Sequence, residues 1–147
     1  MNTEDLLPFH LAIRVRDLAE ARAFYRGLLG CPEGRSSNSW VDFNFFGHQL
    51  VCHVYENSSS PDSREAANVV DDHDVPVPHF GAVLDLPTWE SLSLRLKTAN
   101  VSFVVEPYVR FKGQVGEQAT MFLRDPSGNA IEFKGFHNIA EQLFKKT

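Results

Sequence analysis

The feature that most constrains this chain is an internal repeat. Phe9-His10 opens one run of strand, helix and strands, and Pro78-His79 opens a second. Gly47 begins the last strand of the first run and Gly128 the last strand of the second; four residues on from each lie Val51 and Glu132. Two copies of a β-α-β-β-β unit predict an α+β fold. The expectation is a pseudo-twofold, partly open β-barrel whose first and last strands line a shared cavity.

The first unit is expected over about residues 8–55. Phe9 to Val15 alternates, with His10, Ala12 and Arg14 on one face and Phe9, Leu11, Ile13 and Val15 on the other. Asp17 is a good N-cap and Glu20 completes a capping box. Ala21, Phe24, Tyr25, Leu28 and Leu29 form an apolar helical stripe that Gly30 ends in a left-handed conformation. Trp40–Phe46 and Gln49–Tyr55 read as strands, and a short further strand fits near Glu33–Ser37. Phe43, Phe45 and Phe103 suit either an apolar pocket or core packing.

Between the units the composition changes. Glu56 to Pro76 holds six acids and one base, which accounts for the whole net charge of -5. The stretch reads as a long acidic loop, either a lid or a linker, with a short helix over Arg64–Val70. A charge of this size argues against nucleic acid as a partner. With 43% hydrophobic residues the chain is globular, and 147 residues suit a single domain with a real core. Two cysteines, Cys31 and Cys52, are too few for a disulfide framework. No apolar run suits a membrane span and MNTEDLLPF lacks a signal-peptide pattern, so a cytoplasmic setting is expected.

The second unit is expected over about 77–136. Pro78–Leu86 is a strand, Pro87 breaks it, Thr88 caps the next helix, and Trp89, Leu92, Leu96 and Ala99 make its stripe. Val101–Val105 and Tyr108–Phe111 read as separate strands either side of Pro107. Glu117–Leu123 then pairs with Asn129–Phe133 through the turn Asp125-Pro126-Ser127-Gly128, whose residues suit a tight reversal. Ile139–Phe144 reads as a short amphipathic helix docking on the surface.

Glu132 stands out because it interrupts an apolar strand, where an ionised carboxylate is costly unless paired or metal-bound. Alone, it is explained as well by a solvent-facing position. Its relation to His10 and His79, which sit at matching positions of the repeat, makes a two-His, one-carboxylate ligand set the sharper reading. Such a set leaves positions open on a non-haem metal.

At these residues the chain resembles the vicinal oxygen chelate superfamily, which includes glyoxalase I, extradiol dioxygenases, methylmalonyl-CoA epimerases, and fosfomycin- and bleomycin-resistance proteins. The resemblance runs from about Phe9 to Phe136. It is carried by His10 with Asp17-Leu18 and Phe24-Tyr25-Leu28-Leu29-Gly30, by His79, and most strongly by Asp125-Pro126-Ser127-Gly128-Asn129-Ala130-Ile131-Glu132. It implies His10, His79 and Glu132 as metal ligands. Glyoxalase I has a fourth ligand where this chain has Val51, and bleomycin-binding members lack the ligands that this chain has. What remains resembles extradiol dioxygenases and, equally, fosfomycin-resistance transferases.

The expected function is therefore that of a divalent-metal-dependent enzyme, an extradiol-type dioxygenase for a catechol-like or other vicinal-oxygen small molecule. The alternatives are a metal-dependent transferase, lyase or epimerase, or a resistance-type binding module. Fe(II) is the first choice of metal, with Mn(II), Zn(II) and Ni(II) as alternatives. Larger extradiol enzymes carry a His and a Tyr beside the metal ligands that move protons. His53, two residues beyond Val51, and Tyr108 are the candidates for those catalytic roles. His48, His73 and His137 are read as structural. The resemblance also implies a homodimer.

Overall fold

The computed structural model describes residues 6–54 and 66–146. The chain divides into two compact units, Met1–Asp62 and Ser63–Thr147. Unit one contains β1 (His10–Val15), a helical turn α1 (Leu18–Ala21) continuing as a π-helix (Arg22–Leu28), β2 (Glu33–Ser36), β3 (Trp40–Phe45) and β4 (His48–Val54). Unit two contains β5 (Ala66–Val70), β6 (His73–Val77), β7 (Phe80–Asp85), α2 (Leu86–Thr98), β8 (Phe103–Arg110), β9 (Gln118–Arg124), β10 (Ala130–Phe136) and α3 (Ile139–Gln142).

The repeat is realised strand for strand. One four-stranded sheet has the order β1-β4-β3-β2 and the other β7-β10-β9-β8. In each, the first strand runs parallel to the last and the remaining pairs are antiparallel. These are two mixed four-stranded sheets, one in each unit. The register also repeats: Val51 lies opposite Ala12 and Glu132 opposite Gly81, each two residues beyond the unit's opening histidine.

Each sheet buries one face beneath its helix. In unit one Tyr25 is fully buried, with ring centroids 5.5 Å from Phe43 and 6.4 Å from Phe45. Core packing is therefore the role of Phe43 and Phe45; Phe103 is half-buried in β8. The expected α-helix loosens into π geometry, Leu29 N–H reaching Phe24 O at 2.9 Å. In unit two Trp89, Leu92 and Leu96 of α2 are buried. The Trp89 indole donates to Phe133 O at 2.9 Å, and a Cβ on Gly135 would lie 2.7 Å from the Trp89 ring. Helix and sheet can approach this closely only over glycine.

Several local expectations are corrected. Ala66–Val70 is a strand rather than a short helix, and it forms a hairpin with His73–Val77. Asp71 and Asp72 make its two-residue turn, both at positive φ (49° and 63°). That is the conformation a tight hairpin demands, and short polar side chains tolerate it. The part of the acidic loop that remains, residues 56–65, lies outside the described residues. Asp85 rather than Thr88 caps α2: its carboxylate accepts from Thr88 N at 2.9 Å, leaving Pro87 within the first turn. Val101–Val105 and Tyr108–Phe111 are one strand, β8, which carries Pro107 because it is an edge strand with irregular pairing there. Glu20 does not close a capping box; its carboxylate turns to Arg16 at 2.7 Å. The C-terminal helix is one turn and buries no residue fully.

Candidate metal centre

β10 positions Glu132. The turn before it is held by Asp125, whose carboxylate accepts from Ser127 N, Asn129 N and Asn129 Nδ2 at 2.8–2.9 Å, with Gly128 at φ 87°. The strand then alternates. Ile131 and Phe133 face α2, while Glu132 and Lys134 face the other way. Opposite Glu132 on β7 is Gly81, where a Cβ would fall 1.5 Å from the Glu132 carbonyl oxygen. Glycine is required for the two strands to meet there.

His79 lies between β6 and β7, after a cis Val77–Pro78 peptide. Its Nδ1 is 2.6 Å from Pro76 O, and its ring meets Phe122 edge-on with centroids 5.1 Å apart. A carbonyl oxygen only accepts, so Nδ1 carries the hydrogen. Nε2 of the same ring faces Glu132 Oε2, 3.1 Å away. Thr120 Oγ1 donates to Oε1 at 2.8 Å and holds the carboxylate in that orientation. The Glu132 side chain is only 11% exposed.

Two lone pairs at 3.1 Å repel unless a cation stands between them, either a second ring proton or a metal ion. The donor set fits a metal. Zn–N and Zn–O bonds of about 2.0–2.2 Å at angles of 90–110° put neighbouring donors about 2.8–3.6 Å apart. Within neither unit do three His, Cys, Asp or Glu side chains among the described residues gather as a metal site. Unit two thus supplies two donors.

The pair opens on a cavity of about 190 Å³. Val75, Val105 and Phe122 form a buried apolar cluster in its wall, with Val70 and Tyr108 packed against it. Its polar lining includes His73, Tyr108, Arg110, Thr120 and Lys134. Tyr108 donates to Asp71 Oδ2 at 3.1 Å, and Arg110 pairs with the same oxygen. Burial, with the Asp71 carboxylate beside it, raises the Tyr108 hydroxyl above the ordinary tyrosine range. The Arg110 guanidinium holds Asp71 below the ordinary carboxylate range.

Of the expected site residues, His79, Glu132 and Tyr108 come together at this cavity. His10 and His53 belong to unit one. They share a face of its sheet, but His53 lies four residues beyond Gln49, the register partner of His10. At about 3.3 Å per residue that is roughly 13 Å along the strand, so the sheet does not bring His53 to His10. His73, read as structural, instead lines the cavity with its ring centroid 5.1 Å from Tyr108. Arg110, Thr120 and Lys134 were also missed. Thr120 and Lys134 were findable, because strand pairing puts both beside Glu132. His48 accepts from Phe9 N at 2.8 Å, and His137 lies 3.9 Å from Glu117.

His10 is exposed, and its Nδ1 lies 2.8 Å from Gln49 Oε1. Gln49 Nε2 donates to Asp42 Oδ2 at 3.1 Å, and Asp42 Oδ1 accepts from Arg35 N. Asp42 is 7% exposed.

The family model for the Glyoxalase/Bleomycin resistance protein/Dioxygenase superfamily matches residues 8–133. The chain belongs to this superfamily. Among solved structures of the superfamily, a glyoxalase/bleomycin resistance protein/dioxygenase from Alicyclobacillus acidocaldarius is 33% identical. The match covers 96% of this chain and 98% of that one, with a TM-score of 0.72. The fosfomycin resistance protein FosX from Listeria monocytogenes is 16% identical over 91% of this chain and 95% of its own, TM-score 0.64. A lactoylglutathione lyase from Agrobacterium tumefaciens is 21% identical over 89% and 93%, TM-score 0.59. At those two identities the likeness is one of fold. No curated protein sequence matches the chain. No helix among the described residues is long and apolar enough to cross a membrane.

Proposed function

We propose that the chain is a divalent-metal-dependent enzyme in which His10, His79 and Glu132 hold the ion and leave positions for a small molecule with two adjacent oxygens. The observation that carries this reading is the approach of His79 Nε2 to Glu132 Oε2 at 3.1 Å, the spacing of two neighbouring ligands on one ion. His10 is the third donor, from the same chain or from a second copy in a homodimer. FosX and the lactoylglutathione lyase on the same fold make enzymatic use of the scaffold the natural expectation.

The reaction we favour is extradiol-type oxygenation of a catechol-like substrate with Fe(II). When bound, the ion supplies Lewis acidity and redox contact with dioxygen. The protein's own residues would do the rest. Thr120 fixes the Glu132 carboxylate, and the Phe122 edge fixes the His79 ring. Val75, Val105 and Phe122 give an apolar wall that excludes water from a flat ring. Tyr108, kept protonated by burial, would turn its one hydrogen from Asp71 to a substrate oxygen, with His73 beside it as a proton acceptor. The cavity is smaller than the roughly 300–1,000 Å³ of drug-sized sites, which suits a one-ring molecule.

Lys134 favours a second reading. It lines the cavity and has no ion-pair partner among the described residues. A cation there suits a metal-dependent transferase or lyase acting on an anionic small molecule.

Anaerobic loading with Fe(II), followed by oxygen uptake over a catechol panel, tests the first reading. Full loading without oxygen consumption rules it out in favour of the second. Elemental analysis of protein purified without chelators identifies the resident ion. If Glu132→Gln binds metal as tightly as the unmodified chain, the centre itself is wrong.

A further inference from the structure

We propose that Gln49 and Asp42 are positioning residues that hold His10 as the Nδ1–H tautomer and so present Nε2 as a donor to the metal. The inference deepens the reading of His10 as a ligand and rests on it for its metal arm. Two hydrogen bonds in series set the tautomer. A carboxylate accepts and does not donate. Asp42 Oδ2, 3.1 Å from Gln49 Nε2, therefore assigns the amide nitrogen of Gln49 to its own side. Gln49 Oε1 must then face His10, where it also can only accept. The atom 2.8 Å from it, His10 Nδ1, must carry the hydrogen. His10 Nε2, which has no hydrogen-bond partner among the described residues, keeps its lone pair.

The start of the chain is built for its task. A Cβ at residue 34 would lie 2.2 Å from Asp42 Oδ1; Gly34 leaves that space empty, and Asp42 Oδ1 takes the backbone N–H of Arg35. Asp42 is 7% exposed, and no cation pairs with it among the described residues. Burying such a group is costly unless its acceptors are filled.

The second unit shows that the fold does not need this arrangement. By register, Asp42 lies opposite Val51 and Phe122 opposite Glu132, so Phe122 stands in the place of Asp42. Ala130 stands in the place of Gln49. The same topology forms with Phe and Ala at these positions. What the two units share is the outcome, a histidine with Nδ1 bonded to an oxygen that can only accept. Unit two reaches it through Pro76 O. A group held in this way at the far ring nitrogen orients a metal-ligating histidine.

The test uses the full-length, metal-free chain labelled with 15N-histidine at mildly alkaline pH. Long-range proton–nitrogen spectra should show His10 with Nδ1 protonated and Nε2 bare. Gln49→Leu should abolish that preference and weaken Co(II) binding, read from its absorption bands, by about 10–100-fold. The double variant Asp42→Asn with Gln49→Glu reverses donor and acceptor: the new amide still accepts from Arg35 N and donates to the new carboxylate, which accepts from His10. It should restore both the tautomer and the Co(II) affinity to within about threefold, at the restored end of that same range. An unchanged His10 tautomer in Gln49→Leu overturns the proposal, as does a double variant that folds but rescues neither readout. The reading of His10 as a ligand fails separately, if His10→Ala leaves Co(II) affinity intact.

Discussion

The two units have one topology and one register, yet they are chemically unlike. Opposite the residue two beyond the opening histidine, unit one has Val51 and unit two has Glu132. Unit one locks its histidine through a side-chain chain, while unit two uses a backbone carbonyl from a hairpin, β5–β6, that has no counterpart among the described residues of unit one. The contrast teaches that topology sets where a side chain stands, and the local residue decides whether that place has chemistry. It also shows two ways to fix an imidazole: one that mutation of two side chains can reverse, and one built into the backbone.

The largest expected effect tests the asymmetry at the last strand. Glu132→Gln should lower metal affinity by more than about a hundredfold, beyond the 10–100-fold typical of an outer-shell change. Val51→Ala, at the matching place, should leave affinity unchanged in the same titration. Next is the cavity of unit two, where Tyr108 is the proposed proton donor. Tyr108→Phe should cut turnover by about 10²-fold or more, the lower range for a general acid, with metal affinity unaltered. Equal loss of metal in that variant would make Tyr108 structural.

The close approach at Gly81 gives a smaller, paired test. Gly81→Ala presses a methyl group onto the Glu132 carbonyl and should cost about 1–3 kcal/mol in urea unfolding. Ala12→Gly, at the same register position of unit one, should cost about 0.5–1 kcal/mol or less. Similar costs would mean the two sheets are more alike than their contacts indicate.

The smallest effect separates the units by pH. Burial pushes the Cys31 thiol from 9.0 up to about 12. The folded state disfavours the thiolate that the unfolded chain forms freely. Its contribution is therefore fully present below 9.0 and is lost as pH rises from there towards about 12. Urea midpoints across that window should fall, less steeply in Cys31→Ala. Both cysteines are in unit one, so amide exchange in unit two should not follow the Cys31 titration.

Much of this was legible in the sequence because it rests on local rules. The repeat, the turn at Asp125–Gly128 and the helix stripes follow from periodicity and turn residues alone, as does the face on which Glu132 stands; His79, expected within a strand, lies just before β7. The β5–β6 hairpin was not legible. Its turn uses Asp71-Asp72 rather than a glycine, so a hairpin looked like an acidic loop. With the hairpin unseen, His73 had no wall to stand in and Pro76 O no histidine to accept from. Pro107 misled for a related reason. A proline ends a central strand, but whether a strand is central depends on partners far away in the chain.

That proline has a consequence for how the molecule keeps to itself. An outermost strand offers a row of unused donors and acceptors to any extended chain that drifts alongside. Pro107 brings no N–H to that row, and the pairing with β9 is irregular from Phe103 to Tyr108, which breaks the regular ladder that a neighbour would extend. With another residue at Pro107 the row would regain a donor, one more foothold for an extended chain alongside.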